Sequence, residues 1–182
     1  GNSSAQTITT STLGAPDLFW AKWRAGTPGN SNHNIWDRLR GVSSGRLFSN
    51  LINGEETASA ITSFNMNGVT LNSNSANTSS TTYIGWFFKR ARGVFDQVCY
   101  TGDGASTKVL QHSLGAIPEL VIFKKRNASS DWFVGFLQEL VINPGLLNST
   151  ATFGGAFYDS TTMLASRPTS SAMTINNYLT DM

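Results

Sequence analysis

Short runs of alternating apolar and polar residues, each closed by a turn signal, fill this chain and predict strands rather than helices. From Leu18 to Arg24, Leu18, Trp20, Lys22 and Arg24 share one face and Phe19, Ala21 and Trp23 the other, the period of two that a β-strand imposes. Tyr83 to Phe88, Phe95 to Tyr100 and Trp132 to Leu137 are similarly short and rich in aromatic or β-branched residues, which suit a pleated surface. Between such runs lie Asn53-Gly54, Asn67-Gly68, Asp103-Gly104 and Pro144-Gly145, dipeptides that favour turns. The pattern predicts an all-β fold of antiparallel, jelly-roll-like β-sandwich modules with little helix. The best helix candidate, Glu55 to Ile61, is short and carries no capped amphipathic pattern. Asn72 to Thr82 is almost purely Ser, Asn and Thr, the composition of a surface loop or linker.

The pattern occurs twice. Gly1-Asn2-Ser3-Ser4-Ala5-Gln6-Thr7-Ile8 aligns with Gly102-Asp103-Gly104-Ala105-Ser106-Thr107-Lys108-Val109. Leu13-Gly14-Ala15-Pro16-Asp17-Leu18-Phe19 then meets Leu114-Gly115-Ala116-Ile117-Pro118-Glu119-Leu120-Val121, with Ile117 inserted, and Gly68-Val69-Thr70-Leu71-Asn72 meets Ala172-Met173-Thr174-Ile175-Asn176. Three blocks in one order indicate a tandem duplication, divided as 1–93 and 94–182. In each copy a proline stands just before the apolar run, where a strand can begin without that N–H. The second copy stops before an equivalent of Tyr83 to Phe88, and nothing precedes Gly1 to match Phe95 to Tyr100. The expectation is an excerpt of a longer polypeptide, or failing that a chain whose missing strands come from neighbours and cover its sheet edges.

Composition narrows the chemistry. Charged residues are 13% of the chain against 40% hydrophobic, a balance unlike that of disordered segments. A net charge of +2 supplies no strong field toward nucleic acid or an anionic surface. No apolar run reaches the ~18 residues of a membrane-spanning helix, so membrane insertion is not expected. The single cysteine, Cys99, excludes an intrachain disulfide and reads as a buried apolar filler.

The doubled pattern of Leu-Gly-x-x-Pro-Asp/Glu-Leu followed by an apolar strand with a basic end resembles the repeated module of tailed-phage tail and tail-fibre proteins, which often neighbour concanavalin-like lectin domains. The blocks Asn32-His33-Asn34-Ile35-Trp36-Asp37-Arg38-Leu39-Arg40-Gly41, Ile61 to Leu71 and Tyr83 to Lys89 carry the resemblance in the first copy, and Ser130 to Val134 with Leu146 to Thr150 in the second. It implies a virion component assembled with other subunits, trimeric if it belongs to a fibre, and it implies no reaction. The second copy departs from the related modules at Gly135-Phe136, where an aromatic residue followed by His is usual, and in its absent final strand.

Catalytic readings find little support in the residues. Gly41-Val42-Ser43-Ser44-Gly45 fits the G-x-S-x-G pattern, but that motif needs a strand–turn–helix elbow and a later His and acid. His33 and His112 alone cannot build a zinc site, so no metal or cofactor is expected. Asp103, between two glycines, reads as a turn residue rather than a calcium ligand. A glycan depolymerase would need paired carboxylates across a cleft, and nothing in the spacing of Asp17, Asp37, Glu55, Glu56 and Asp96 pairs two. The basic clusters Lys89-Arg90-Arg92 and Lys124-Lys125-Arg126 read as solvated strand ends rather than a nucleic-acid surface.

Glycan contact is the better alternative, because five tryptophans are many for this length and an exposed indole can stack on a sugar. Trp23 and Trp36 are the candidates, since the second copy has Lys125 and Gly135 there. His33 and Asp37 join them as polar neighbours, replaced by Trp132 and Phe136 in the second copy. Three readings result: a structural virion module of a tail, tail fibre or head-surface decoration protein, an adhesin for host-surface glycans and, well behind these, a glycan depolymerase; an enzyme is not expected.

Overall fold

The computed structural model describes residues 1–27, 31–42, 45–57, 60–72, 76–138, 141–150 and 163–180. The chain divides into two compact units, Gly1–Arg90 and Ala91–Met182. Each is a sandwich of antiparallel sheets, and the one helix among the described residues, α1 (Asn177–Thr180), is a single turn.

The first unit contains β1 (Gln6–Thr9), β2 (Leu18–Ala25), β3 (Asn34–Asp37), β4 (Leu47–Phe48), β5 (Ile61–Asn65), β6 (Gly68–Leu71) and β7 (Thr82–Phe88). One sheet has the order β4-β3-β2-β7 and the other β1-β6-β5. Alternation along β2 turns Phe19 and Ala21 inward, with Trp36 from β3, onto Ile61, Val69 and Leu71 of the opposite sheet. Phe19 stacks between Trp36, at 5.9 Å between ring centroids, and Phe87 of β7, at 4.8 Å. The Phe19 ring reaches over Gly85, where a Cβ would stand 2.6 Å from it. Asn77, fully buried, takes the N–H of Asn2 on its Oδ1 and gives its Nδ2 to Asn72 O, fastening the start of the chain to the sandwich.

The second unit contains β8 (Thr107–Gln111), β9 (Leu120–Lys124), β10 (Trp132–Gln138), β11 (Val141–Leu146), β12 (Ala172–Asn176) and α1. Its sheets have the orders β11-β10-β9 and β12-β8. Val121, Phe123, Phe133 and Leu137 meet Leu110, Ile175 and Leu179 in its core. Tyr100 packs against this core with its hydroxyl on Leu179 O, and burial pushes the phenol up to about 12.

The same details recur in both units. Gly14 and Gly115, at matching places in the repeat, have φ of 77° and 72°, a conformation that a side chain strains. Arg38 N donates to Asp17 O at 2.8 Å, and Leu137 N to Glu119 O at 2.7 Å. After β4, Asn50 accepts the His33 N–H and donates to Asn32 Oδ1; after β11, Asn148 accepts the Trp132 N–H and donates to Asp131 Oδ1. Phe19 faces Trp36 and Val121 faces Gly135, the register that the repeat alignment requires. One difference stands out: β2 lies between β3 and β7, whereas among the described residues β9 has a neighbour only in β10.

Several local expectations are corrected. Phe95 to Tyr100 is not a strand; Phe95 makes an isolated bridge to Ala91, and no strand among the described residues pairs with the rest. Cys99 is exposed rather than buried, because that segment lacks the sheet that would cover it. No helix forms at Glu55–Thr57, since Glu56 bridges Arg46, and Ile61 opens β5. Residues 58 and 59 of that candidate, like 73–75 of the polar loop, lie outside the described residues. Pro144-Gly145 makes no turn but sits in β11, an edge strand among the described residues, where a missing N–H costs no ladder bond.

Candidate functional site

The two faces of the β4-β3-β2-β7 sheet decide what the first unit offers to a ligand. The inner face holds Trp36 at 1% exposure, stacked on Phe19, so this residue is core and not a glycan contact. Its side-chain direction follows from register: Trp36 lies opposite Phe19, which alternation turns inward.

Asp37 points to the outer face yet is only 2% exposed. Its Oδ1 accepts Arg40 N and its Oδ2 accepts Arg40 Nε. The same guanidinium donates to Ile35 O and Gly45 O and lies 3.7 Å from Glu55. Glu55 in turn accepts the Gly45 N–H. A buried carboxylate satisfied in this way holds the loop after β3 and is not a free acid or a sugar ligand. The network also corrects the G-x-S-x-G reading. Gly41 is at φ 87°, Gly45 is fastened by Arg40 and Glu55, and Arg46 and β4 follow instead of a helix. Ser43 and Ser44 lie outside the described residues.

Trp23 and His33 both reach the surface. Trp23 gives its indole N–H to Ser31 O at 3.0 Å, and Lys22 Nζ lies 4.8 Å above its ring. His33 Nδ1 accepts the Trp20 indole N–H at 3.1 Å. An acceptor nitrogen requires neutral imidazole. Partial burial lowers the His33 pKa, and the Lys22 charge lowers it further. The four expected residues therefore do not form one site.

A different group does. Trp86 of β7 is 40% exposed, with Ile84 and Phe88 beside it on the same face. Trp20 crosses from β2, 5.7 Å from Trp86, and its other side meets the edge of His33. The result is an aromatic strip rimmed by Lys22 and His33. It can stack on a flat apolar partner and offer hydrogen bonds at one end, and it contains no nucleophile and base in contact. The sequence leaves this group hidden because both faces of β7 are apolar. The usable signal is Gly85, whose lack of a Cβ lets the Phe19 ring in and so marks the Phe87 face as inner.

The charged clusters are drawn into local structure. Asp103 holds Lys108 at 2.5 Å and the Ala105 N–H at 3.1 Å, which lower its pKa and form a turn. Burial pushes the Lys124 ammonium down to about 8, with Asp131 opposing and Lys125 adding to the shift. Among the described residues no group of three or more His, Cys, Asp and Glu could hold a metal ion.

Residues 1–181 match one family model, described as a domain of unknown function (DUF7483). The chain belongs to that family. The DUF7483 match takes in both sandwich units rather than one of them. No curated protein and no solved structure matches the chain. No helix among the described residues is long and apolar enough to cross a membrane.

Proposed function

We propose that this chain is a structural component of a tailed-phage virion, a tail or tail-fibre module that joins other subunits and takes part in host attachment. The observation that carries the reading is the aromatic strip of Trp20, Ile84, Trp86 and Phe88 on an outer sheet face, beside charges held in local bonds. Contiguous apolar surface with a polar rim is the mark of a contact surface, and the doubled motif described above supplies the virion setting. Mass spectrometry of purified particles tests it. Peptides of both units at a fixed ratio to the major tail protein support the proposal. A monodisperse monomer that turns over a small substrate, absent from particles, contradicts it.

A second reading, an adhesin for host-surface glycans, is favoured by the tilted Trp20–Trp86 pair next to His33. Indole faces flanked by hydrogen-bonding groups suit sugar rings. Binding to a glycan array that Trp86→Ala abolishes without loss of folding would favour adhesion over assembly.

A further inference from the structure

We infer that the β9 edge of the second unit is a docking site for an antiparallel strand of the β7 kind, with a cationic C-terminal end. The inference deepens the assembly reading above and rests on it for the partner's setting, while the edge itself is argued from the two units.

The first unit displays what the position accepts. β2 and β9 occupy the same place in the repeat, and Asp17 O and Glu119 O each receive the equivalent N–H from the strand on one side. On the other side β2 takes β7, with Leu18, Trp20 and Lys22 opposite Phe88, Trp86 and Ile84. Among the described residues, β9 has no strand there. The Leu137–Glu119 bond sets the parity of the β10 ladder on Glu119, Val121 and Phe123. Alternation then turns the N–H and C=O groups of Leu120 and Ile122 outward.

The edge also lacks the features that usually prevent pairing. Between Leu120 and Phe123 there is no charge, proline or bulge, the devices by which exposed edges are blunted. Leu120 and Ile122 are 47% and 44% exposed, and Phe136 across the ladder is 50% exposed. A β7-like strand would cover them with the counterparts of Ile84, Trp86 and Phe88.

Charge selects the direction and the occupant. Glu119 stands exposed at the place of Asp17, and basic Lys124, Lys125 and Arg126 close the other end. In the first unit β7 runs into Lys89 and Arg90, and the Arg90 N–H binds the Asp17 carboxylate at 2.7 Å. An antiparallel strand with a cationic C-terminal end and an uncharged N-terminal end therefore matches β9. On the inner face the partner needs a small residue opposite Phe123, as Gly85 lies opposite Ala21 beside Phe19.

The test uses the full chain and a synthetic peptide of the sequence Thr81 to Arg90, read by amide hydrogen exchange. Protection at Leu120 and Ile122 rising about tenfold, with Val121 and Phe123 unchanged, is the expected result. N-methylation of the peptide at the Trp86 position removes a bond toward β9 and abolishes the effect, whereas N-methylation at the Phe87 position does so far less. Ile122→Pro deletes an outward N–H and likewise abolishes it; if that variant unfolds, the methylated peptides carry the comparison alone. Leu120 and Ile122 already protected without peptide, or equal effects from both methylated peptides, overturn the inference. Neither result bears on whether the chain occurs in virions, which the particle measurement decides separately.

Discussion

The two units place their bulk in different rows of the same sheet. In the first, the large pair is Phe19 opposite Trp36, with Ala21 opposite Asn34 in the next inward row. In the second, those places hold Val121 opposite Gly135 and Phe123 opposite Phe133. The aromatic pair has moved one row along the strands, about 7 Å. A sandwich core thus fixes total volume and inward direction more strictly than the identity of any residue. The outer face differs as sharply: Asp37 with Arg40 holds the loop by a buried ion pair, where the second unit has the half-exposed Phe136.

The largest test of that comparison is Trp36→Ala, expected to cost about 3–5 kcal/mol in denaturant unfolding of the first unit. Trp36→Phe should cost far less, since the indole N–H has no partner among the described residues. Grafting the second unit's rows, with Phe19→Val, Ala21→Phe, Asn34→Phe and Trp36→Gly together, should recover much of what Phe19→Val with Trp36→Gly loses. Failure of the graft to recover anything would break the volume argument.

Next in size, Arg40→Ala leaves Asp37 buried without its cation and should cost on the order of 3 kcal/mol. Replacing both partners, Asp37→Phe with Arg40→Leu, should cost less than Arg40→Ala, because it leaves no buried charge unpaired. Thermal melts of the three variants decide the order.

Two smaller effects depend on pH. The folded Lys124 loses its proton near 8, below its ordinary 10.5. The unfolded chain holds more protons between those values, so stability should rise as pH increases from about 8 to 10.5. Lys124→Met should flatten that rise in denaturation measured across the interval. The His33 pKa is lowered from 6.5, so protonation favours the unfolded chain. Stability should then fall as pH drops below 6.5, and His33→Gln should weaken the fall.

The alternation of Leu18 to Arg24 and the short aromatic and β-branched runs Tyr83 to Phe88 and Trp132 to Leu137 were enough to place β2, β7 and β10, because such residues suit a pleated surface. The repeat alignment also gave the equivalent positions of the two units, Phe19 with Val121 and Trp36 with Gly135, which pair alike in both. Phe95 to Tyr100 misled for a related reason: alternation reports an extended chain but not whether a partner lies beside it. Trp36 and Asp37 were misjudged because replacement in the second copy resembled surface freedom. At Trp36 it reflects bulk moved to Phe123 and Phe133, and at Asp37 it reflects a loop held by Arg40, three residues away. The paired clamps of Asn50 and Asn148 were legible only as one asparagine after each short strand, a signal too slight to separate from turn composition.

Two copies of one strand position differ: β2 is paired on both sides and β9, among the described residues, on one. Residue-resolved amide exchange on the chain alone tests this difference most directly. The account predicts slow exchange at Leu18, Phe19 and Trp20 alike, but alternation in β9, with Val121 and Phe123 slow and Leu120 and Ile122 fast. Exchange at Leu120 and Ile122 as slow as at Leu18 and Trp20 would contradict it.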